Sequence, residues 1–237
     1  VGYRGAPSQN VVSQQVQPIR IVETIPANTW KKINDSTYIF DFARNMSGVT
    51  RIKVSGEEGT VVKLKHGERL YDNGRVNTSN IDVYHRPVDD SDPFQTDILI
   101  LSGKGEDEFM ARFNYKGFRY VEVTSSKPIE LQQNSLTAYF VHSDVPQKGE
   151  ISTSNPLVNR LWWATNNAYL SNLMGYPTDC PQREKNGWTG DGHFAIETAL
   201  YNYDGITVYE KWLADHRDEQ QPNGVLACGN LVGVNHP

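Results

Sequence analysis

Residues Tyr38–Gly74 read YIFDFARNMSGVTRIKVSGEEGTVVKLKHGERLYDNG, and two runs within them decide the fold class. Tyr38, Phe40 and Phe42 alternate with Ile39, Asp41 and Ala43, and Val62, Leu64 and His66 alternate with Lys63 and Lys65. A two-residue period puts successive side chains on opposite faces of a half-buried strand. Downstream, DILIL (97–101), RFNYKGFRYVEVT (112–124) and SLTAYFVHSDV (135–145) carry the same strand signals. Turn clusters SGEEGT (55–60), YDNG (71–74) and SGKGED (102–107) punctuate them. Short strands at this spacing, with no helical stretch between them, predict a mainly antiparallel β-sandwich.

Upstream of this region, residues 1–18 are polar, Gln- and Ser-rich and weakly patterned, which reads as a connector. Downstream the period changes. After STSNP (152–156), Asn155 is placed to cap a helix and Pro156 to occupy its first turn, and Leu157, Leu161, Ala164 and Ala168 recur at helical intervals. This first helix is expected to run to about Leu173. A second is expected from near Gly192 with Ile196, Ala199 and Tyr203 on one face, and a third holding Tyr209, Trp212, Leu213 and His216. Three helices enclose little core, so the pattern predicts the start of a larger helical domain. The expected divisions are 1–18 connector, 19–147 sandwich and 148–237 helical domain, with apolar faces such as Tyr209, Trp212 and Leu213 left exposed. The opening VGYRG and closing GVNHP carry neither a start methionine nor a terminal cap and read as an internal piece of something longer.

Composition excludes several classes. A net charge of -5 over 237 residues, with Lys and Arg scattered among acids, gives no basic stripe for nucleic acid. No apolar run is long enough to insert in a membrane, and the N-terminal residues hold no signal-like segment. Cys180 and Cys228 belong to no CxxC pair or His-Cys cluster, so neither a disulfide framework, a metal nor any other cofactor is expected.

Between the first two expected helices lies YPTDCPQREKNGWTGDGH (176–193). Pro177, Pro181, Gly187 and Gly190 clamp a segment carrying Asp179, Glu184 and Asp191, the guanidinium of Arg183 and the indole of Trp188. An indole face packs on the C–H side of a pyranose while carboxylates accept bonds from its hydroxyls, and a carboxylic acid beside apolar surface can donate to a glycosidic oxygen. A purely structural alternative makes Asp179 a turn residue, Arg183 and Glu184 a solvated pair and Trp188 a plug between helix ends. Cys180 reads as a small buried hydrophobe rather than a nucleophile, and His142 and His193 as hydrogen-bonders rather than metal ligands.

PTDCPQREKNGWTGD resembles the signature loop of the bacterial α-L-rhamnosidase family of glycoside hydrolases. YIFDFARNMSGVTRIKVSGEEGTVVKLKHGERLYDNG, RFNYKGFRYVEVT and VHSDV are similar to that family's β-sandwich, and YNYDGITVYEKWLADHRDEQQPNG to its early barrel helices. The resemblance implies a β-sandwich followed by the first hairpins of an (α/α) six-hairpin toroidal barrel, and inverting release of terminal α-linked L-rhamnose from glycosides or polysaccharides. It implies Glu184 as general acid, Asp179, Trp188 and Asp191 as residues holding the rhamnose, and Arg183 as a support for the loop or for the acid's charge state. Some members carry two adjacent acids at this point; here Glu184 is the single carboxylate.

Inversion needs a base facing the acid across the sugar. Glu210, Asp215, Asp218 and Glu219 fall in or near an expected helix rather than on a cleft loop, so the base is expected beyond Pro237, with the remainder of the barrel in the same polypeptide. The other readings are a non-catalytic carbohydrate-binding module, and a related (α/α)-barrel exo-glycosidase or lyase of different specificity. A secreted or periplasmic location is favoured over a cytoplasmic one.

Overall fold

The computed structural model describes residues 12–81 and 94–226; part of the expected connector, and Cys228, lie outside them. Among the described residues ten strands come first: β1 (Ile19–Pro26), β2 (Thr29–Asn34), β3 (Thr37–Ser55), β4 (Val61–Gly67), β5 (Arg69–Leu70), β6 (Val76–Asn77), β7 (Thr96–Ile100), β8 (Glu106–Met110), β9 (Lys116–Ser125) and β10 (Leu136–Ser143). Three helices follow: α1 (Pro156–Ser171), α2 (Thr189–Asn202) and α3 (Ile206–Asp218).

The sandwich is one antiparallel sheet curled on itself, in the order β1-β10-β3-β9-β4-β7, with β2 and β8 also paired to β3. Its pivot is the 19-residue β3. The first half of β3 lies between β2 and β9; farther along, β10 replaces β2 on one flank and β8 replaces β9 on the other. The exchange follows a register shift between Asp41 and Met46, where Ala43 adopts φ 58° and donates its N–H to Asp41 Oδ1 at 2.6 Å. A left-handed residue within a strand bends it and lets a single chain serve both layers. The alternating set Tyr38, Phe40 and Phe42 points into the resulting core with Ile52, Leu64, Phe118, Val121 and Phe140. Fully burying each such side chain contributes roughly 1.5–3 kcal/mol.

The same bend carries the helices. Arg44 Nε donates to Asn167 Oδ1 at 2.6 Å, and Asn167 Nδ2 donates to the Asn45 carbonyl at 2.8 Å, so α1 is docked on the β3 pivot. A second core joins Tyr169 and Leu173 to Ala199, Tyr203, Val208, Tyr209 and Trp212, and Leu170 packs against both cores.

Asn155 caps α1 as its sequence predicts, its Oδ1 accepting from Leu157 N at 2.9 Å. The helical interval of Leu157, Leu161, Ala164 and Ala168 is borne out by the helix itself. Within the described residues Leu157 and Leu161 are exposed, and Asn166, Tyr169 and Ser171 are buried on the side that the Asn167 bonds turn toward β3. The second helix starts three residues before Gly192, since Gly192 N–H already bonds to the Trp188 carbonyl. Its Ala199, followed by Tyr203 just past its end, faces the core as expected. On α3 the exposed face expected at Tyr209 and Trp212 is buried, leaving Leu213 exposed.

Candidate active site

The loop from Asn172 to Trp188 is held at its start by the sheet. Ser143 N–H bonds to the Leu173 carbonyl at 2.7 Å, Ser143 Oγ accepts from Gly175 N at 2.8 Å, and Thr178 N–H returns to the Asn172 carbonyl at 2.7 Å. The segment then closes on itself: Asp179 N–H bonds to the Asn186 carbonyl at 2.9 Å, and Asn186 N–H returns to Asp179 Oδ1 at 2.8 Å. Asp179 thus does the turn-forming work of the structural alternative and also lines the adjoining cleft.

Cys180 fills the centre of this small ring. Its Sγ donates to Asp179 Oδ2 at 3.0 Å and accepts from Glu184 N at 3.3 Å. Burial, and next the bond to Asp179, push the thiol above its usual range, so it keeps its proton and ties the two acidic positions together. Oxygens of Asp179 and Glu184 and the Cys180 sulfur lie within 4.8 Å of one another.

Glu184 extends from the ring toward solvent. Its Oε2 accepts from Trp188 Nε1 at 2.8 Å, and its Oε1 lies 3.5 Å from Arg183 Nε. Lys185, with φ 57°, turns the other way: Nζ donates to the Tyr115 carbonyl at 2.6 Å and lies 4.5 Å over the Tyr115 ring. Burial, then repulsion from Lys116, lower Lys185 to about 8, while burial pushes the Tyr115 phenol up. Asp191 lies in the exposed first turn of α2. Together with Asp179, Asn172, Thr178 and Phe194 it lines a cleft of about 410 Å3 between α1 and α2.

The structure therefore gathers the five candidates into two adjacent groups. Glu184, Trp188 and Arg183 form one, Asp179 and Asp191 line the cleft, and the Cys180 thiol links Asp179 to Glu184. Sequence reasoning missed Lys185, Tyr115 and Gly117. The available signal was Gly117, a lone glycine within a strand run, which marks a close backbone approach. An added Cβ there would lie 2.6 Å from Gln182 N, 2.7 Å from Gln182 Cβ and 2.8 Å from the Pro181 carbonyl carbon.

Comparison with known proteins identifies the family. Residues 31–142 match the bacterial α-L-rhamnosidase concanavalin-like domain, and residues 146–229 match the bacterial α-L-rhamnosidase six-hairpin glycosidase domain. The chain is 34% identical over 229 residues to an α-L-rhamnosidase of Streptomyces avermitilis, covering 94% of this chain and 21% of that protein. It is 31% identical over 218 residues to one of Formosa agariphila, covering 90% of this chain and 22% of that protein. Among solved structures, the S. avermitilis α-L-rhamnosidase complexed with L-rhamnose superimposes with TM-score 0.83 at 34% identity, over 98% of this chain and 22% of that one. The α-L-rhamnosidase from Dictyoglumus thermophilum gives 0.82 at 37% identity, over 92% of this chain and 24% of that one. The chain thus spans about a fifth of the length of the curated relatives it matches. With a curled antiparallel sheet, helices that begin a six-hairpin domain and an acid-bearing loop between them, this chain belongs to the bacterial α-L-rhamnosidase family.

Proposed function

We propose that this chain carries the proton-donating side of an α-L-rhamnosidase that cleaves terminal α-linked L-rhamnose with inversion. Glu184 is the general acid; Asp179, Asp191 and Trp188 hold the sugar, and Arg183 flanks the acid. The observation that carries this reading is the placement of the Glu184 carboxyl on a hydrogen-bonded loop at the side of a cleft that Asp179 and Asp191 line. In this reading Trp188 has two parts, its N–H aiming Glu184 and its ring forming an apolar wall for the pyranose.

In inverting enzymes the acid and base carboxyls stand about 6.5–9.5 Å apart, leaving room for the attacking water. An Asp179 oxygen within 4.8 Å of a Glu184 oxygen leaves too little room, which supports Asp179 as a sugar-holding group rather than the base. Glu210 and Asp215 lie on α3, where Asp215 Oδ2 is paired with Lys211 Nζ at 2.6 Å. The base is accordingly assigned to another segment of the same polypeptide, approaching from the far side of the sugar.

The test is Glu184→Gln in the full-length enzyme. The amide keeps the shape but has no transferable proton, so turnover of alkyl rhamnosides should fall by about 10²–10⁴-fold. A nitrophenyl rhamnoside, whose leaving group needs little protonation, should suffer far less. Equal losses on the two substrates would refute the acid role and favour a binding one.

A further inference from the structure

We propose that the Tyr115–Gly117 segment of the sheet domain is a positioning element for the proton donor, holding the loop on both sides of Glu184. The inference rests on the reading of Glu184 as the general acid. One contact lies before Glu184, where the Gly117 backbone packs so closely under Pro181–Gln182 that a methyl group cannot fit between them. The other lies after it, where Lys185 Nζ donates to the Tyr115 carbonyl at 2.6 Å. Glu184 lies two residues from one anchor and one residue from the other, so its backbone has little freedom to shift or turn.

The seat itself is rigid. Gly117 pairs with Ser47 in the β3–β9 ladder, and its carbonyl accepts from Gln95 Nε2 at 2.7 Å. The neighbouring Lys116 side chain, 2% exposed, is locked to Asp97 Oδ1 at 2.6 Å and to the Asn114 carbonyl at 3.1 Å. Gly117 carries no left-handed φ, so the reason for glycine here is space rather than backbone conformation. The loop side transmits any shift to the acid, because Cys180 Sγ accepts from Glu184 N and donates to Asp179 Oδ2. A sheet that contributes no carboxylate to the cleft lining thereby sets where the acid carboxyl stands.

The size of the effect follows from the contact distances. With a Cβ at residue 117, the loop backbone must retreat by about 0.8 Å to open the 2.6 Å approach to an ordinary 3.4 Å contact. A misplacement near 1 Å is sufficient to cost on the order of 10²-fold in rate. Lys185→Met removes the other anchor and leaves the Gly117 contact intact.

The experiment measures kcat and KM of the full-length enzyme and its Gly117→Ala, Lys185→Met and Glu184→Gln variants on an alkyl rhamnoside and on nitrophenyl rhamnoside. For Gly117→Ala we expect kcat on the alkyl substrate to fall about 10- to 100-fold with KM changed less than about threefold, and a loss at least about fivefold smaller on the nitrophenyl substrate. Lys185→Met should show the same leaving-group pattern with a smaller loss, and it decides the matter alone if Gly117→Ala does not fold. Losses equal on both substrates would mean that only the folded fraction had changed and would overturn the proposal, as would unchanged kcat in Lys185→Met. If Glu184→Gln itself affects both substrates equally, the acid assignment fails. If Glu184→Gln shows the expected pattern and the two seat variants do not, the positioning role alone fails.

Discussion

Lys116→Met isolates what a buried charge contributes beneath the acid loop. Lys116 is 2% exposed and Asp97 8% exposed, and their 2.6 Å contact joins the start of β9 to the edge strand β7 across β4. Removing the lysine leaves a carboxylate without its direct partner in the interior, and breaking such a pair typically costs about 3–5 kcal/mol. Lys185 offsets part of this, because Asp97 and Lys185 already lie within each other's electrostatic field. We therefore expect about 3 kcal/mol, and the Lys185 ammonium should become more basic as the repulsion from Lys116 is removed. Amide hydrogen exchange in the full-length protein reads this locally. At about 1.4 kcal/mol per factor of ten, protection of the β4 and β9 amides should fall about a hundredfold, with the amides of α3 changed much less. The double variant Lys116→Met, Asp97→Leu should recover most of the protection, since an apolar pair of similar volume commonly replaces a buried ion pair without loss. Protection within about threefold of the parent in the single variant would refute the energetic weight given to the pair. A double variant as weak as the single one would show that packing around the lysine stem, rather than the stranded charge, had been lost.

Three further outcomes are expected. His66 is fully buried between Thr50 Oγ1 at 2.9 Å and the Gln95 carbonyl at 3.1 Å, and burial lowers it from 6.5 to about 4, against the field of Asp97 and with that of Lys116. Between those values the unfolded chain binds the extra proton, so stability falls as pH drops through 6.5 toward 4, by up to about 3 kcal/mol; His66→Gln should flatten that part of a urea-midpoint profile, and an unchanged slope would contradict the assignment. Trp188→Phe keeps the ring but removes the 2.8 Å donor to Glu184, so kcat on alkyl rhamnosides should fall about tenfold with KM nearly unchanged, whereas Trp188→Ala should also raise KM; a KM defect in both variants would assign Trp188 to binding alone. Because the base is placed on another segment, the 237-residue chain alone should release no nitrophenol above buffer from nitrophenyl rhamnoside, and turnover near that of the full-length enzyme would put the base within it.

Strand periodicity around Tyr38–Phe42 and Val62–His66, the cap at Asn155 and the change to a helical period were all legible locally, because each depends on neighbours a few residues away. The clamped loop was legible too, since Pro fixes φ and Gly permits turn conformations that other residues avoid, wherever they occur. Other features were not. The periodicity of Leu157 and Leu161 shows a helix, yet which side of it meets the sheet depends on bonds from Asn167 to Arg44 and Asn45, more than 120 residues away. No local pattern encodes a contact at that separation.

The site divides along the same line. The sequence by itself determined which groups are present: a carboxyl flanked by a guanidinium and an indole four residues on, with acids on either side. Tertiary structure alone decided that Trp188 N–H points at Glu184, that Asp179 shares the Cys180 thiol with the Glu184 backbone, and that Asp191 and Asp179 line one cleft. It also decided that Tyr115, Lys116 and Gly117, some 65 residues upstream, lie beneath the acid loop. The physical reason is that residue type sets what chemistry a group can perform, whereas its direction and proton affinity are set by whatever the folded chain packs against it.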